Sequence, residues 1–227
     1  MTAPGGWIVP AAWPRLAPER IDCWWIDLDA PASNDCCSPA ERERAARFAT
    51  ELLARRFLNR RAAVRAILAR SLDRDPGDLA FTVGAHGKPA LSGVECSWSH
   101  RDRFAVLAVH ILPLGIDLEA LSAVREPLPT ALLATEERAW LEAMPPECRH
   151  GAFAALWSAK EAYLKARGVG FGEPLAAHAI SAAEDAPLLT RGCLAWRLTR
   201  CDVGPDHRCC VAHAQPATIA RWRHGAE

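Results

Sequence analysis

The chain has 227 residues, half of them apolar, and its 27 basic and 27 acidic side chains cancel to a formal charge of zero. That length and apolar content can bury a substantial core, in one domain or two small ones, and exclude a largely disordered chain. Zero net charge removes any global argument for nucleic-acid binding, and no run approaches the ~18 uncharged apolar residues that span a membrane.

The Met-Thr-Ala-Pro start lacks the basic and apolar regions of a signal peptide. Nine Cys, an odd number without chelating spacing, point to free thiols in a reducing cytosol. The segment through Arg20, rich in Pro and Trp, reads as irregular chain packed by Trp7 and Trp13. Ile21 to Leu28 alternates as a strand, and Asp29 to Pro39 is a loop by its Pro, Ser and Asn content. Ser38 then caps a helix, with Pro39 at its first position and Glu41 completing a capping box.

That helix is expected to run to about Arg70, with a wobble near Asn59. Phe48, Leu52, Phe57, Val64, Ile67 and Leu68 form its buried stripe, and Arg56 and Arg60 lie on another face. From Glu41 to Arg70 there are nine Arg against three Glu, a local excess of +6 (9 − 3). Such a segment is either a solvated face or a steering surface for an acidic partner, with Arg60 and Arg61 expected to be exposed.

Asp75-Pro76-Gly77 is a turn, Leu79 to Val83 a short strand, and Gly84 to Gly93 a polar loop that carries Gly87-Lys88-Pro89. Val94 to His100 approaches a second loop, Phe104 to Leu112 is an apolar strand, and Gly115 to Glu119 another. Thr135 caps a helix that Pro145-Pro146 ends. A longer helix runs from about Glu147 to Arg167 and stops at Gly168 and Gly170. Strands are expected at Ala177 to Ser181, Leu194 to Thr199 and Cys209 to Ala214, with His224 to Glu227 frayed. Each half repeats strand, long helix, strands. That order predicts an α+β protein of two similar lobes, residues 1–114 and 115–227, with a cleft between them.

Two blocks carry the chemistry. In the strand Gly115-Ile116-Asp117-Leu118-Glu119 the two carboxylates share one face, while Leu118 points to the core. In the helix Trp157 to Lys165, Glu161 and Lys165 stand one turn apart. Three acidic oxygen donors with no nearby Cys suggest a hard-metal site, Mg²⁺, that handles phosphate. Taken singly, Glu161 and Lys165 are an exposed ion pair, His100 a structural histidine and Lys88 a loop lysine. Trp24, Trp25, Trp140, Trp157, Tyr163 and Trp196 read as packing residues, as do the adjacent pairs Cys36-Cys37 and Cys209-Cys210.

Gly87-Lys88-Pro89, Ser99-His100, Gly115 to Glu119 and Trp157 to Lys165, in that order, resemble the 4'-phosphopantetheinyl transferase superfamily. Their order and the chain length are similar to the long, monomeric, surfactin-synthetase-activating type, and the resemblance covers about residues 20 to 215. It implies a pseudo-twofold pair of lobes with coenzyme A at their interface. It also implies Mg²⁺-dependent transfer of the phosphopantetheine arm to a serine of an apo acyl or peptidyl carrier protein, releasing adenosine 3',5'-bisphosphate. The metal ligands it implies are Asp117, Glu119 and Glu161, with Glu161 taking the serine proton directly or through water, and Lys165 and Asp117 beside it. For coenzyme A it implies Gly87, Lys88 and Pro89 at the adenine end, Ser99, His100, Lys160 and Lys165 near the phosphates, and Arg44 and Arg56 from the first helix. It places part of the carrier contact around Leu128 and Leu132, and a cytoplasmic monomer without nucleic acid or membrane. Ser97-Trp98 and Arg101-Asp102 depart from the family's usual Phe-Asn and Ser-Gly pairs. A non-catalytic coenzyme A or carrier-binding protein and an Mg²⁺ phosphohydrolase are the alternatives.

Overall fold

β1 (Arg20–Asp27) is buried along almost its whole length, and its two faces serve two different cores. Ile21, Cys23 and Trp25 point one way, while Trp24 and Ile26, continued by Leu28, point the other. A strand apolar on both faces needs a layer on each side, and the rest of the chain supplies them. The computed structural model describes residues 4–84, 87–170, 173–180, 187–188 and 196–225.

The fold is α+β. Sheet one has the order β10-β1-β5-β4, with β4 at Glu95–Arg101, β5 at Phe104–His110 and β10 at Thr218–His224. Sheet two has the order β6-β9-β8-β7, from Leu114–Ala120, His207–His213, Trp196–Cys201 and Pro187–Leu188 respectively. A two-stranded piece pairs β2 (Thr82–Val83) with β3 (Pro89–Ala90). Helix α2 (Glu51–Leu72) covers sheet one through Val64, Ile67 and Leu68. Helix α4 (Pro146–Arg167) covers sheet two through Phe153, Leu156 and Tyr163. Between the sheets lie Val106, Ile116, Leu118 and Val211 with the inner face of β1. The layers are therefore helix, sheet, sheet, helix.

β10 runs parallel to β1, so the last strand of the chain belongs to sheet one rather than to the sheet formed by the residues before it. The sequence pattern predicts no strand in this stretch. Its alternation is masked by Arg221 and Arg223 and by its partly exposed edge position.

The long first helix is in fact two. α1 (Pro39–Ala45) carries the expected capping box between Ser38 and Glu41, and α2 starts afresh with Thr50 as its N-cap. The break falls at 46–50, not at Asn59, because Thr50 accepts from Leu53 N–H and redirects the chain. Asn59 is buried inside α2 and donates to the Leu28 and Ala30 carbonyls. This break overturns a third of the expected stripe: Phe48 and Leu52 are exposed, while Phe57, Val64, Ile67 and Leu68 are buried. α3 (Thr135–Glu142) takes Ala134, not Thr135, as its N-cap, and Glu137 closes the first turn onto the Ala134 N–H. The segment at 94–100, expected only to approach a loop, forms strand β4, and the strand expected at 79–83 shrinks to β2. Residues 175–177 form a 3₁₀ turn instead of a strand; Ser181, Leu194 and Ala195 lie outside the described residues, as do 85, 86, 226 and 227.

Gly115 sets the spacing between β6 and α4. A Cβ there would sit 2.0 Å from the Ala162 carbonyl oxygen and 2.5 Å from the Ala166 nitrogen. Both are backbone atoms, so no side-chain rotation relieves the clash. Gly115→Ala is expected to destabilise the protein by about 3 kcal/mol, the upper end of overpacking costs. Chemical denaturation checks this, and a change below ~0.5 kcal/mol, the size of an ordinary surface substitution, would contradict it.

Candidate active site

β4 and β6 meet where the two sheets come together, and side chains join them. Ser97, Ser99 and Arg101 lie two apart on β4 and share a face. Ser97 Oγ accepts from Ile116 N–H at 3.1 Å, and Ser99 Oγ donates to Asp117 Oδ1 at 2.8 Å. Arg101 donates to Glu119 through Nε and Nη2 at 2.8 and 2.6 Å. The backbone turns after Arg101 through Asp102 at φ 51°, a left-handed conformation that aspartate tolerates. Asp102 thus does the work of the glycine usual in that turn.

The close packing that Gly115 permits brings Lys165 from α4 onto the same acidic face. Its Nζ donates to Asp117 Oδ1 at 2.6 Å and reaches the Ile116 carbonyl at 3.4 Å. Lys165 therefore pairs across to β6, not along its own helix to Glu161. Asp117 Oδ2 is buried and receives no hydrogen bond. Glu161 stands close enough to feel these charges. Burial first, then the Asp117 charge, pushes its carboxyl up to about 7, and Lys165 only partly opposes the shift. Glu119 is also raised, by burial first and by Asp117, while its Arg101 hydrogen bonds pull it down. Among the described residues, no three His, Cys, Asp or Glu side chains already converge as a metal-ligand cluster.

A cavity of about 350 Å³ opens beside this face. Gly87, Lys88 and Pro89 line one side, Ser97 and Trp98 a second, and Glu161 with Lys165 a third. Lys88 Nζ donates to the Leu114 carbonyl at 3.2 Å and to Glu95 at 3.4 Å, which ties its loop to the start of β6. Trp98, one of the departures from the family pattern, is a cleft wall held edge-on by Phe81 and covered by Arg61.

His100 points to the opposite face of β4 from Ser99. It keeps an exposed surface, yet desolvation and then the charges of Arg60, Arg101 and Lys165 push its imidazole down to about 4. Arg60 is the matching oddity on α2. Its buried Nε has no hydrogen-bond partner, and burial, then Arg61 and Arg44, lower its pKa to about 10.

Three sequence expectations need correction. Lys160 is 1% exposed, and its Nζ donates to both Glu137 oxygens at 2.6 and 2.7 Å and to the His178 carbonyl at 2.6 Å. Three protons and three acceptors leave nothing for a phosphate, so Lys160 is a structural residue. Arg56 is committed to Asp29 by a two-pronged bond at 2.8 and 2.6 Å, and Arg44 stands over Phe57 beside a separate surface hollow. Neither lines the cleft. Arg61, expected to be exposed, is largely buried against Glu41, which also holds Arg65, and Arg60 is only partly exposed. Four of the nine arginines of this segment, Arg55, Arg56, Arg61 and Arg65, are thus paired with Asp29 or Glu41.

Residues missed from the sequence are Arg101, Ser97 and Trp98. The signal for Ser97 and Arg101 is the alternation of 97, 99 and 101, legible once 95–101 is read as a strand; Trp98 lies outside that alternation. The aromatic residues set aside as packing groups do pack: Trp24, Trp25, Tyr163 and Trp196 are buried, with Trp140 and Trp157 partly so. Cys37, Cys209 and Cys210 are buried, Cys36 partly so, and all four are free thiols.

Residues 113–212, which hold β6 and α4, match the 4'-phosphopantetheinyl transferase superfamily. The 4'-phosphopantetheinyl transferase HetI of Nostoc sp. is 32% identical over 213 residues, covering 88% of this chain and 89% of that protein. The 4'-phosphopantetheinyl transferase Sfp of Bacillus subtilis is 28% identical over 170 residues, 70% of this chain and 76% of the relative. A further Bacillus subtilis 4'-phosphopantetheinyl transferase is 30% identical over 151 residues, 65% of this chain and 67% of its own length. The chain belongs to the 4'-phosphopantetheinyl transferase superfamily. No helix among the described residues is long and apolar enough to cross a membrane.

Proposed function

We propose that this enzyme transfers the 4'-phosphopantetheine arm of coenzyme A to a serine hydroxyl of an apo acyl or peptidyl carrier protein, releasing adenosine 3',5'-bisphosphate. The observation that carries the reading is Glu161 and Lys165 on one wall of a cleft whose other wall is Gly87-Lys88-Pro89, with Asp117 paired to Lys165 behind that wall. One wall comes from residues 1–114 and the other from 115–227, so we place coenzyme A between two lobes, the first of which also takes in β10 from the end of the chain. The family resemblance further implies a monomer working in the cytoplasm, without nucleic acid or membrane.

The donor chemistry fits a hard divalent cation. Asp117 Oδ2 is a buried carboxylate oxygen without a partner, and Glu161 is a second carboxyl crowded by negative charge. Asp117 and Glu161, with Glu119, would hold Mg²⁺. When bound, Mg²⁺ supplies positive charge against the pyrophosphate oxygens of coenzyme A. Lys165 orients Asp117 and adds a cation beside the transferred phosphate, while Lys88 holds the loop that receives the nucleotide. Burial and the Asp117 charge push the Glu161 carboxyl up to about 7 in the free cleft, and a bound cation would draw it down; Glu161 takes the proton of the attacking serine directly or through water.

Incubating an apo-carrier domain with this protein, coenzyme A and Mg²⁺ is expected to add one phosphopantetheinyl group to a serine, read by intact mass and peptide mapping. Release of phosphate without carrier modification would make it a phosphohydrolase. Coenzyme A binding without either product would make it a binding protein.

We place the 3'-phosphate end of the nucleotide near His100 and Arg60, where two cationic or protonatable groups lie together without a carboxylate partner for either. By NMR, His100 is expected to titrate near 4 in the free protein. Adenosine 3',5'-bisphosphate should raise it by about one unit or more, because a nearby anion favours the imidazolium. The folded-state value lies below the ordinary one, so the associated stability is present above about pH 6.5 and is lost as pH falls through 4. An unshifted His100, with and without the nucleotide, would remove it from the phosphate site.

A further inference from the structure

Arg101 is not part of the family pattern in the motif, yet it makes the most complete contact to the acidic face. Its forked bond occupies both oxygens of Glu119, whose side chain is only 9% exposed. Arg101 itself is 39% exposed, so its guanidinium has an open path away from the carboxylate. Neighbouring Asp117 is held differently. Ser99 and Lys165 share one oxygen and leave the other free. Of the two strand carboxylates, then, one offers a cation an oxygen with no partner, while both oxygens of the other already face a guanidinium.

We propose that Arg101 is the resident counterion of Glu119 and competes with the divalent cation for it, so that this chain sets its own metal threshold. The inference rests on the proposed metal site at Asp117, Glu119 and Glu161 and adds the residue that regulates its loading. A carboxylate cannot give the same lone pairs to a guanidinium fork and to a metal ion, so occupancy of one lowers occupancy of the other. The fork is charge-assisted and geometrically matched, which makes it a strong local competitor. Asp117 and Glu161 provide the first hold for an incoming cation, and the departure of Arg101 opens Glu119. Once released, the guanidinium stays beside the cleft with free donors.

The test is a calorimetric titration of Mn²⁺ into metal-stripped protein without coenzyme A, comparing wild type, R101Q, D117N and the double variant R101Q/E119Q. R101Q is expected to bind Mn²⁺ about tenfold more tightly, the factor for one lost charge-assisted competitor, and R101Q/E119Q should lose that gain. R101K keeps the charge without the fork and is expected to gain about threefold, which keeps the test alive if R101Q fails to fold. Unchanged or weaker Mn²⁺ binding in R101Q, with binding abolished in D117N, would overturn the role of Arg101 and leave the metal site standing. Binding that D117N leaves intact would overturn the metal site, and this inference with it.

Discussion

Asp117→Asn is expected to cut phosphopantetheine transfer at least ~100-fold while the protein stays folded, the cost of losing one strong electrostatic contact in the transition state. Asp117 is where three demands meet. It accepts from Ser99, which fixes β4 to β6; it accepts from Lys165, which fixes α4; and its remaining oxygen is free for a cation. Asparagine keeps the shape but removes the charge, and its amide nitrogen cannot accept. The loss should therefore appear in turnover at saturating coenzyme A, and excess Mg²⁺ should restore little of it. Steady-state formation of holo-carrier checks this, and a rate within about threefold of wild type, about 0.6 kcal/mol in barrier, would remove Asp117 from the catalytic apparatus.

The largest effect on stability is expected at Lys160, a residue of the same motif with a different task. Glu137 is ringed by donors: Lys160 on both oxygens, the Ile180 N–H at 2.7 Å and the Ala134 N–H at 2.7 Å. The pair thus ties α4 to the start of α3 and to the segment at 178–180. Lys160→Met would strand a buried carboxylate, which costs about 3–5 kcal/mol. For a chain of this size that corresponds to a melting temperature about 6–20 °C lower. Pairing Lys160→Met with Glu137→Gln should recover part of the loss, since the amide oxygen still accepts from the backbone without a stranded charge. A single variant within ~1 kcal/mol of wild type would contradict the reading of this ion pair as a structural tie.

Local sequence carried much of the architecture. The alternation of β1, the Ser38 capping box and the glycine stop after α4 are local signals, and each appears where the pattern placed it. The spacing of Asp117 and Glu119 put both carboxylates on one face, and Lys165 on the facing helix turned out to reach that face. What the sequence hid depends on the third dimension. A Lys beside a Glu in a motif looks alike whether it points to a ligand or to Glu137, which is 23 residues away. Nine arginines in one segment look like a charged face until Asp29 and Glu41, both at a distance in the chain, take up four of them: Arg55 and Arg56 on one, Arg61 and Arg65 on the other. β10 was invisible because its partner, β1, lies almost the whole chain away. In the sequence Arg101 shows only as a departure from the family pattern, since its role depends on the contact between β4 and β6 that no local pattern reports.

The central claim is that the cleft between the Gly87-Lys88-Pro89 loop and the Glu161 and Lys165 wall, with Asp117 behind it, holds coenzyme A for transfer. A crystal structure of the protein with coenzyme A and Mn²⁺, with the metal located by its anomalous signal, tests this most directly. The account predicts the metal bonded to Asp117 and Glu161, with the pyrophosphate between Lys88 and Lys165. Coenzyme A seated outside this cleft, or a metal that touches none of Asp117, Glu119 and Glu161, would contradict it.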